Sequence, residues 1–232
     1  TGAGRGIGRA YARLLAQRGA AVVVNDLGAS IEGAGADEGP AAEVVAAITA
    51  AGGTAVADGH DVSDPTAAQA LIASAVEHFG RIDILVNNAG IIRWARFPEV
   101  DDDNLAGHLA VHVTGSFNTA RAAWPHLADQ GYGRIVMTTS AGFFGLSGNT
   151  SYATAKGGVI GLTRSLATAG AKRGIAVNLI APAAMTRMAG AGADADSPEM
   201  SPDLVAPMVA YLAHEDCPVS GEIYAAGAGR FA

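Results

Sequence analysis

Short apolar runs alternate with longer amphipathic stretches along the whole sequence, and this alternation limits the possible folds more than any other feature. Runs rich in Val, Ile and Leu fall at residues 20–25, 54–57, 82–87, 134–139, 175–180 and 222–225, and helical patterning covers 8–17, 40–51, 65–79, 102–128, 151–172 and 203–214. Strands that are apolar on both faces belong to a parallel sheet, and each parallel crossover needs a helix packed back onto that sheet. The expected fold is therefore α/β, a parallel sheet between two helix layers with right-handed crossovers. Asp64-Pro65 marks one helix start, an N-cap followed by Pro at the first helical position. No internal repeat or linker is visible, so residues 1–232 are expected to form a single domain. Two long irregular stretches, 28–40 and 189–202, are the places where loops of that length usually serve function.

Composition narrows the function classes. Half of the 232 residues are hydrophobic and 16% are charged, too much apolar mass for a disordered chain. No run approaches the ~18 uninterrupted apolar residues of a membrane span, and a net charge of −7 argues against a nucleic-acid partner. The lone Cys217 cannot form an intramolecular disulfide, which points to a reducing compartment, the cytoplasm.

The 31 glycines follow no fixed period, and three of them suggest a ligand. Gly2, Gly6 and Gly8 open the first helix, where glycine lets the backbone approach a pyrophosphate and the helix N-terminus supplies N–H donors. The strand after that helix ends in Asn25-Asp26, close to the distance of about 20 residues at which dinucleotide folds place an acid. A carboxylate there accepts hydrogen bonds from ribose hydroxyls and repels a 2′-phosphate, which favours NAD over NADP. Arg5 argues the other way, since a guanidinium pairs with phosphate; Leu27, where a second basic residue would help NADP, leaves Asp26 to decide. Asp61-Val62 can meet the adenine, and Asn87-Asn88-Ala89-Gly90 joins two side-chain amides to a small-residue turn.

Tyr152 and Lys156 are four residues apart on a helix, hence on one face. A nearby ammonium favours phenolate and lowers the pKa of a phenol from about 10. Such a phenol can take a proton from an alcohol as hydride leaves its carbon for nicotinamide. The preceding strand ends in Thr138-Thr139-Ser140, whose hydroxyls can hold the substrate oxygen. His108 and His112 have a spacing also used for zinc, but no third ligand is visible and no metal is expected.

Thr1-Gly-Ala-Gly-Arg-Gly-Ile-Gly8, Asn87-Asn-Ala-Gly90 and Tyr152-x3-Lys156, in this order and spacing, resemble the short-chain dehydrogenase/reductase family along essentially the whole chain. Within that family, segments such as Val22–Gly28, Arg121–Trp124 and His214–Cys217 are most similar to the 3-hydroxyacyl-CoA dehydrogenase part of the peroxisomal multifunctional β-oxidation enzyme and its bacterial relatives. The resemblance implies a doubly wound Rossmann-like sheet, NAD(H), and an acid/base Tyr152 aided by Lys156 and Ser140. It implies dimers or tetramers built through the helices beginning near Asp102 and Ser151. It also brings Ile7, Val111, Pro182, Met185 and Thr186 beside the cofactor. The family's usual catalytic Asn falls on His112, as in the hydroxyacyl-CoA relatives, with a proton relay from Lys156 through water to the residue 112 carbonyl. For the hydroxyl, counting back from Tyr152 reaches Thr139, whereas reading along the strand reaches Ser140, the favoured of the two.

The expected function is oxidation and reduction between a secondary alcohol and a ketone, a 3-hydroxyacyl-CoA being one substrate and a steroid or other small alcohol another. Retention of the fold without chemistry, as a dinucleotide sensor or scaffold, is the competing class. Trp94, Phe97, Phe143 and Phe144 are candidates to line a substrate cleft, and Arg93, Arg96 and Arg187 to meet the phosphates of CoA. A Rossmann-like sheet also needs a strand running into Thr1, so several apolar residues are expected ahead of it.

Overall fold

A computed structural model describes residues 1–190 and 197–232. Part of the 189–202 loop therefore lies outside the described residues. The strands are β1 (Ala21–Asn25), β2 (Thr54–Asp58), β3 (Ile84–Asn87), β4 (Gly133–Thr138), β5 (Ile175–Ala183), β6 (Ile223–Gly227) and β7 (Arg230–Phe231). The helices are α1 (Gly6–Gln17), α2 (Gly39–Ala50), α3 (Pro65–Phe79), α4 (Asp102–His108), α5 (Gly115–Asp129), α6 (Thr150–Gly170) and α7 (Ala206–Ala213). Strands β1 and β2 pair in parallel; β3, β4, β5 and β6 form a second parallel set in that order, and β7 closes its edge antiparallel to β6.

Strand β4 is buried on both faces and divides two cores. Ile135 and Met137 pack with Ile72, Ala120, Leu127 and Val159 of α3, α5 and α6. Val136, between them, packs with Tyr11, Val209 and Leu212 of α1 and α7. A third cluster joins α1, α2 and β1 through Ala12, Val24, Val44 and Ile48. This is the doubly wound α/β arrangement, with helices on both faces.

Three departures from the sequence reading have local causes. The helix expected over 102–128 is interrupted by a π-helical turn, Leu109–Thr114, which joins α4 to α5 and carries the buried His112. The helix expected from residue 203 begins at Ala206, after a 3-10 turn over Pro202–Leu204. Strand β7 has two residues, too few to leave a periodic signal.

Strands β1 and β3 do not pair with each other. Between them runs a groove of about 380 Å³, lined by the facing strand edges and by Tyr11, Leu15, Ile72, Ala75 and Phe79. At its end the Thr1 amino group donates to the Val86 carbonyl (2.8 Å) and the Ala3 amide to the Asn25 carbonyl (2.9 Å). A strand ahead of Thr1, as expected from the sequence, would run into this groove.

Candidate active site

The C-terminal ends of β1 and β3, on either side of this gap, open onto a cleft, the usual ligand position in a doubly wound sheet. Its lining brings together Gly2, Arg5, Gly6, Ile7, Gly8, Asp26, Leu27, Asp61, Val62, Asn88, Ala89, Gly90, Val111 and Thr186, all singled out in the sequence. Pro182 lies instead within β5, in register with Ala226, and Met185 is partly exposed, its amide bonded to the Met200 carbonyl.

The glycine turn is built for close approach. A β-carbon at Gly8 would collide with the Gly2 carbonyl, and one at Gly2 would stand 2.8 Å from Ala89 Cα. Asn88 Nδ2 donates to the Thr1 and Gly2 carbonyls (3.2 and 3.0 Å), so this side chain ties the turn to β3. Asn87 is buried: its Nδ2 donates to the Ser116 carbonyl and its Oδ1 accepts from the Thr119 hydroxyl (2.7 Å). At the start of α1, Arg5 caps no amide with its side chain and the first turn carries no acid. Those free N–H groups and the positive end of the helix dipole suit a pyrophosphate. Asp26 accepts from Gly4 N–H at one oxygen and from Gly28 N–H at the other, both at 2.7 Å, which fixes the carboxylate at the cleft edge. Asp61 accepts from the amide and hydroxyl of Ser63 (2.8 Å each), leaving its second oxygen for a ligand. These donors, the anchored acid and the small-residue turn fit a nicotinamide dinucleotide.

The reacting groups gather around the C-terminal end of β4 and the first turns of α6. Lys156 Nζ donates to the Thr138 carbonyl (2.8 Å) and lies 5.6 Å from the centroid of the Tyr152 ring. Ser140 Oγ accepts from the Gly142 amide (3.0 Å), and its hydroxyl lies near enough to the Tyr152 phenol to favour the phenolate. Gly142 separates them so closely that a β-carbon there would stand 3.3 Å from Ser140 Oγ and 3.2 Å from the Tyr152 ring. Thr139 is directed elsewhere, buried with its hydroxyl donating to the Lys156 carbonyl (3.0 Å). The two candidate hydroxyls therefore have different surroundings: that of Thr139 is spent on the Lys156 carbonyl, and that of Ser140 lies on the Tyr152 side of Gly142.

The electrostatics correct one expectation. Burial raises the pKa of Tyr152, with the nearby Ser140 hydroxyl opposing it, while burial lowers that of Lys156 to about 7. The Lys156 amine is directed at the Thr138 carbonyl and does not offset the phenol's desolvation, which prevails.

His112 stands behind Tyr152. Its ring meets the phenol edge-on, centroids 5.4 Å apart, and stacks on His108 at 6.0 Å. His112 Nε2 lies 2.8 Å from the Ile91 carbonyl, the tautomer with hydrogen on Nε2 satisfies that carbonyl, and Nδ1 is left without a partner. Burial, then the charge of Lys156, holds the imidazole well below its ordinary pKa, hence neutral. The His112 carbonyl, expected to end a proton relay, accepts the Ser116 hydroxyl (2.7 Å). A β-carbon on Gly90 would come within 2.5 Å of His112 Cε1, so glycine at the cleft wall is what admits this ring. Both His108 nitrogens bond backbone, Nδ1 the Asn104 carbonyl and Nε2 the Arg93 amide.

Beside this cluster, the chain around residue 95 runs along that around 148, with the Ala95 amide donating to the Gly148 carbonyl (3.0 Å). The two segments carry Trp94, Phe97, Phe144 and Leu146, all exposed, Phe144 at 82% and Phe97 at 76%. Arg93 is engaged by the protein itself, Nε donating to the Glu32 carbonyl (2.6 Å), and Arg96 and Arg187 are exposed. Two residues that the sequence reading passed over also bear on the cleft. His60 lines it and bonds the buried Asp58 (2.8 Å), and Asp37 approaches Arg5. The signal for Asp37 was local, an acid just ahead of the Gly39-Pro40 helix start.

A cleft for a nicotinamide dinucleotide beside a Ser, Tyr and Lys cluster defines an oxidoreductase of the Rossmann type. The chain belongs to the short-chain dehydrogenase/reductase family, whose members act on CH–OH groups with NAD or NADP; residues 1–196 match the family described as short chain dehydrogenase. It is 46% identical over 99% of its length to mouse (Mus musculus) peroxisomal multifunctional enzyme type 2, of which it spans 31%. It is 37% identical over 97% of its length to a hydroxyacyl-CoA dehydrogenase of Mycobacterium tuberculosis, covering 74% of that protein. A short chain dehydrogenase from Mycobacterium avium superposes with a TM-score of 0.89 at 41% identity, covering all of this chain and 82% of that one. A gluconate 5-dehydrogenase from Burkholderia cenocepacia in complex with NADP and tartrate superposes at 0.86 with 30% identity, over 99% and 92% of the two chains. Among the described residues, no helix is long and apolar enough to cross a membrane.

Proposed function

We propose that the chain is an NAD-dependent dehydrogenase of 3-hydroxyacyl-CoA thioesters, converting the secondary alcohol to the ketone and back. The observation that carries the chemistry is the juxtaposition of the Ser140 hydroxyl, the Tyr152 phenol and the buried Lys156 ammonium beside the dinucleotide cleft. The dinucleotide, when bound, supplies the hydride acceptor. Ser140 holds the reacting oxygen, and Tyr152 takes the alcohol proton or returns it to the nascent alkoxide. Lys156, at a pKa of about 7, exchanges protons readily near neutrality, and His112 positions the phenol from behind. NAD is the favoured dinucleotide because Asp26 is anchored at the cleft edge.

The substrate class rests on the apolar rim of Trp94, Phe97, Phe144 and Leu146, an exposed patch suited to an acyl chain. It also rests on the likeness to a hydroxyacyl-CoA dehydrogenase, and Arg96 and Arg187 are available to CoA phosphates. We further assign a homodimer or homotetramer and a reducing compartment, the cytoplasm. Support comes from the half-open face of Phe117, Arg121, Trp124 and Leu166 on α5 and α6 and from the buried, unpaired Cys217.

The test is NAD reduction across 3-hydroxyacyl-CoAs of several lengths, hydroxysteroids and small secondary alcohols, with Tyr152→Phe alongside. The thioesters are expected to give the highest kcat/KM. The variant should lose turnover by about 10²–10⁴-fold while NADH binding holds within about twofold; an active Tyr152→Phe enzyme overturns the assignment.

A further inference from the structure

The loop between β1 and α2 addresses a conflict within the cleft, and this inference rests on the NAD reading above. Arg5, at the start of α1, is placed to pair with a phosphate on the adenosine ribose, whereas Asp26 in the same cleft repels one. Left to themselves, the two side chains favour opposite cofactors.

The loop carries a second carboxylate to the guanidinium. At its neck, the Asp37 amide donates to the Leu27 carbonyl (2.9 Å), and the Asp37 backbone is pressed against Gly28, whose φ of +74° a residue with a side chain rarely adopts. Asp37 Oδ1 accepts from Gly39 N–H (2.9 Å), which holds the carboxylate in place. Its Oδ2 then lies 3.8 Å from Arg5 Nη2, while Arg5 Nη1 stands 3.5 Å from the Ala29 carbonyl. The far end of the loop is anchored across the cleft, with the Ile92 amide on the Ile31 carbonyl (2.8 Å) and Arg93 Nε on the Glu32 carbonyl (2.6 Å). The loop is thus fastened at both ends, with its acid held by Gly39 N–H beside Arg5. Arg187, another cation of the cleft lining, feels the charges of both Arg5 and Asp26.

We propose that Asp37 is a specificity-determining residue: by occupying Arg5 it removes a receptor for the 2′-phosphate, so that NADP is excluded by two carboxylates, Asp26 and Asp37. The Arg5 and Asp37 side chains are 33% and 60% exposed. Such a pair adds little to stability, and its effect falls on which anion the guanidinium accepts.

Asp37→Asn is the discriminating variant, because it keeps the acceptor for Gly39 N–H and removes only the charge. Equilibrium dissociation constants for NADH and NADPH are measured by nicotinamide fluorescence on the wild-type chain, Asp37→Asn, Arg5→Ala and the double variant, at low and high salt. Asp37→Asn is expected to tighten NADPH by about 3–10-fold, with NADH changed less than about twofold. The gain should disappear in the Arg5→Ala background and shrink at high salt. An unchanged NADPH constant, or an equal gain without Arg5, overturns the role of Asp37 while leaving an NAD preference intact. A wild-type chain that binds NADPH more tightly than NADH overturns the NAD reading and this inference together.

Discussion

Lys156 is a buried amine in a dehydrated setting, and its cost to the fold depends on pH. Burial lowers its pKa from 10.5 to about 7. Between those values the unfolded chain holds a proton that the folded chain lacks, so stability rises with pH across the window. Below about 7 both states are protonated, and the full penalty of burying the ammonium is present. Lys156→Met removes the titration, so the wild-type stability relative to this variant should climb between pH 7 and 10, by up to ~1.4 kcal/mol per pH unit. Denaturant unfolding of both proteins over that range measures it, and a pH-independent difference rejects the shifted amine. The same residues mark what spacing alone conveys about a site. The four-residue step from Tyr152 to Lys156 put both groups on one helix face, with Nζ 5.6 Å from the ring centroid, but it carried no information on desolvation, which raises the phenol's pKa instead of lowering it. Nor does spacing give the direction of a hydroxyl, which is what separates Ser140 from Thr139. Asn88 likewise reads as a cofactor ligand until its amide is found holding the Gly2 carbonyl.

At the level of elements, apolar periodicity located the six longer strands and the helix before each of them, with ends displaced by only a few residues. What it missed are features that leave the repeat intact. A π-helical turn adds one residue to a helix whose apolar spacing continues on either side, yet that turn carries His112 to its place behind Tyr152. Arg134 was read as the start of a strand, although it stands in a strand buried throughout. Its guanidinium donates to the carbonyls of Gly133 (3.0 Å), Gly174 (3.4 Å), His214 (3.1 Å) and Glu215 (2.7 Å), and it lies over the Tyr132 ring. One side chain thus joins β4 to the turn before β5 and the segment after α7. Arg134→Met should destabilise the fold by about 2–4 kcal/mol, because it leaves several carbonyls without a donor. Arg134→Lys should recover only part of that loss, since an ammonium lacks the planar fork. Urea midpoints of the two variants provide the comparison, and a Met variant as stable as wild type rules out the suture.

At the scale of the molecule, the sheet is two sets of strands facing each other across the groove between β1 and β3. Each set presents unpaired backbone donors and acceptors to that space, an arrangement sheets usually avoid by pairing or covering the edge. Apolar side chains of α1 and α3 close the groove from above and below, among them Leu15, Ile72 and Phe79. The bonds from Thr1 to Val86 and from Ala3 to Asn25 already engage both edges at one end. An extended segment joined ahead of Thr1 and running parallel to its neighbours would continue those bonds along the groove. Five apolar, β-branched residues, matching the five of β1, should therefore stabilise the protein by about 2–5 kcal/mol. That is the gain from burying their side chains less the entropy of ordering them. The same extension with Pro at its centre removes a ladder donor and should give much less. Thermal unfolding of the unextended, Val-rich and Pro-interrupted proteins distinguishes the cases. Equal midpoints for all three would mean that the groove does not accept a strand, and a rise that survives the Pro would mean that burial alone, without pairing to β1 and β3, is responsible.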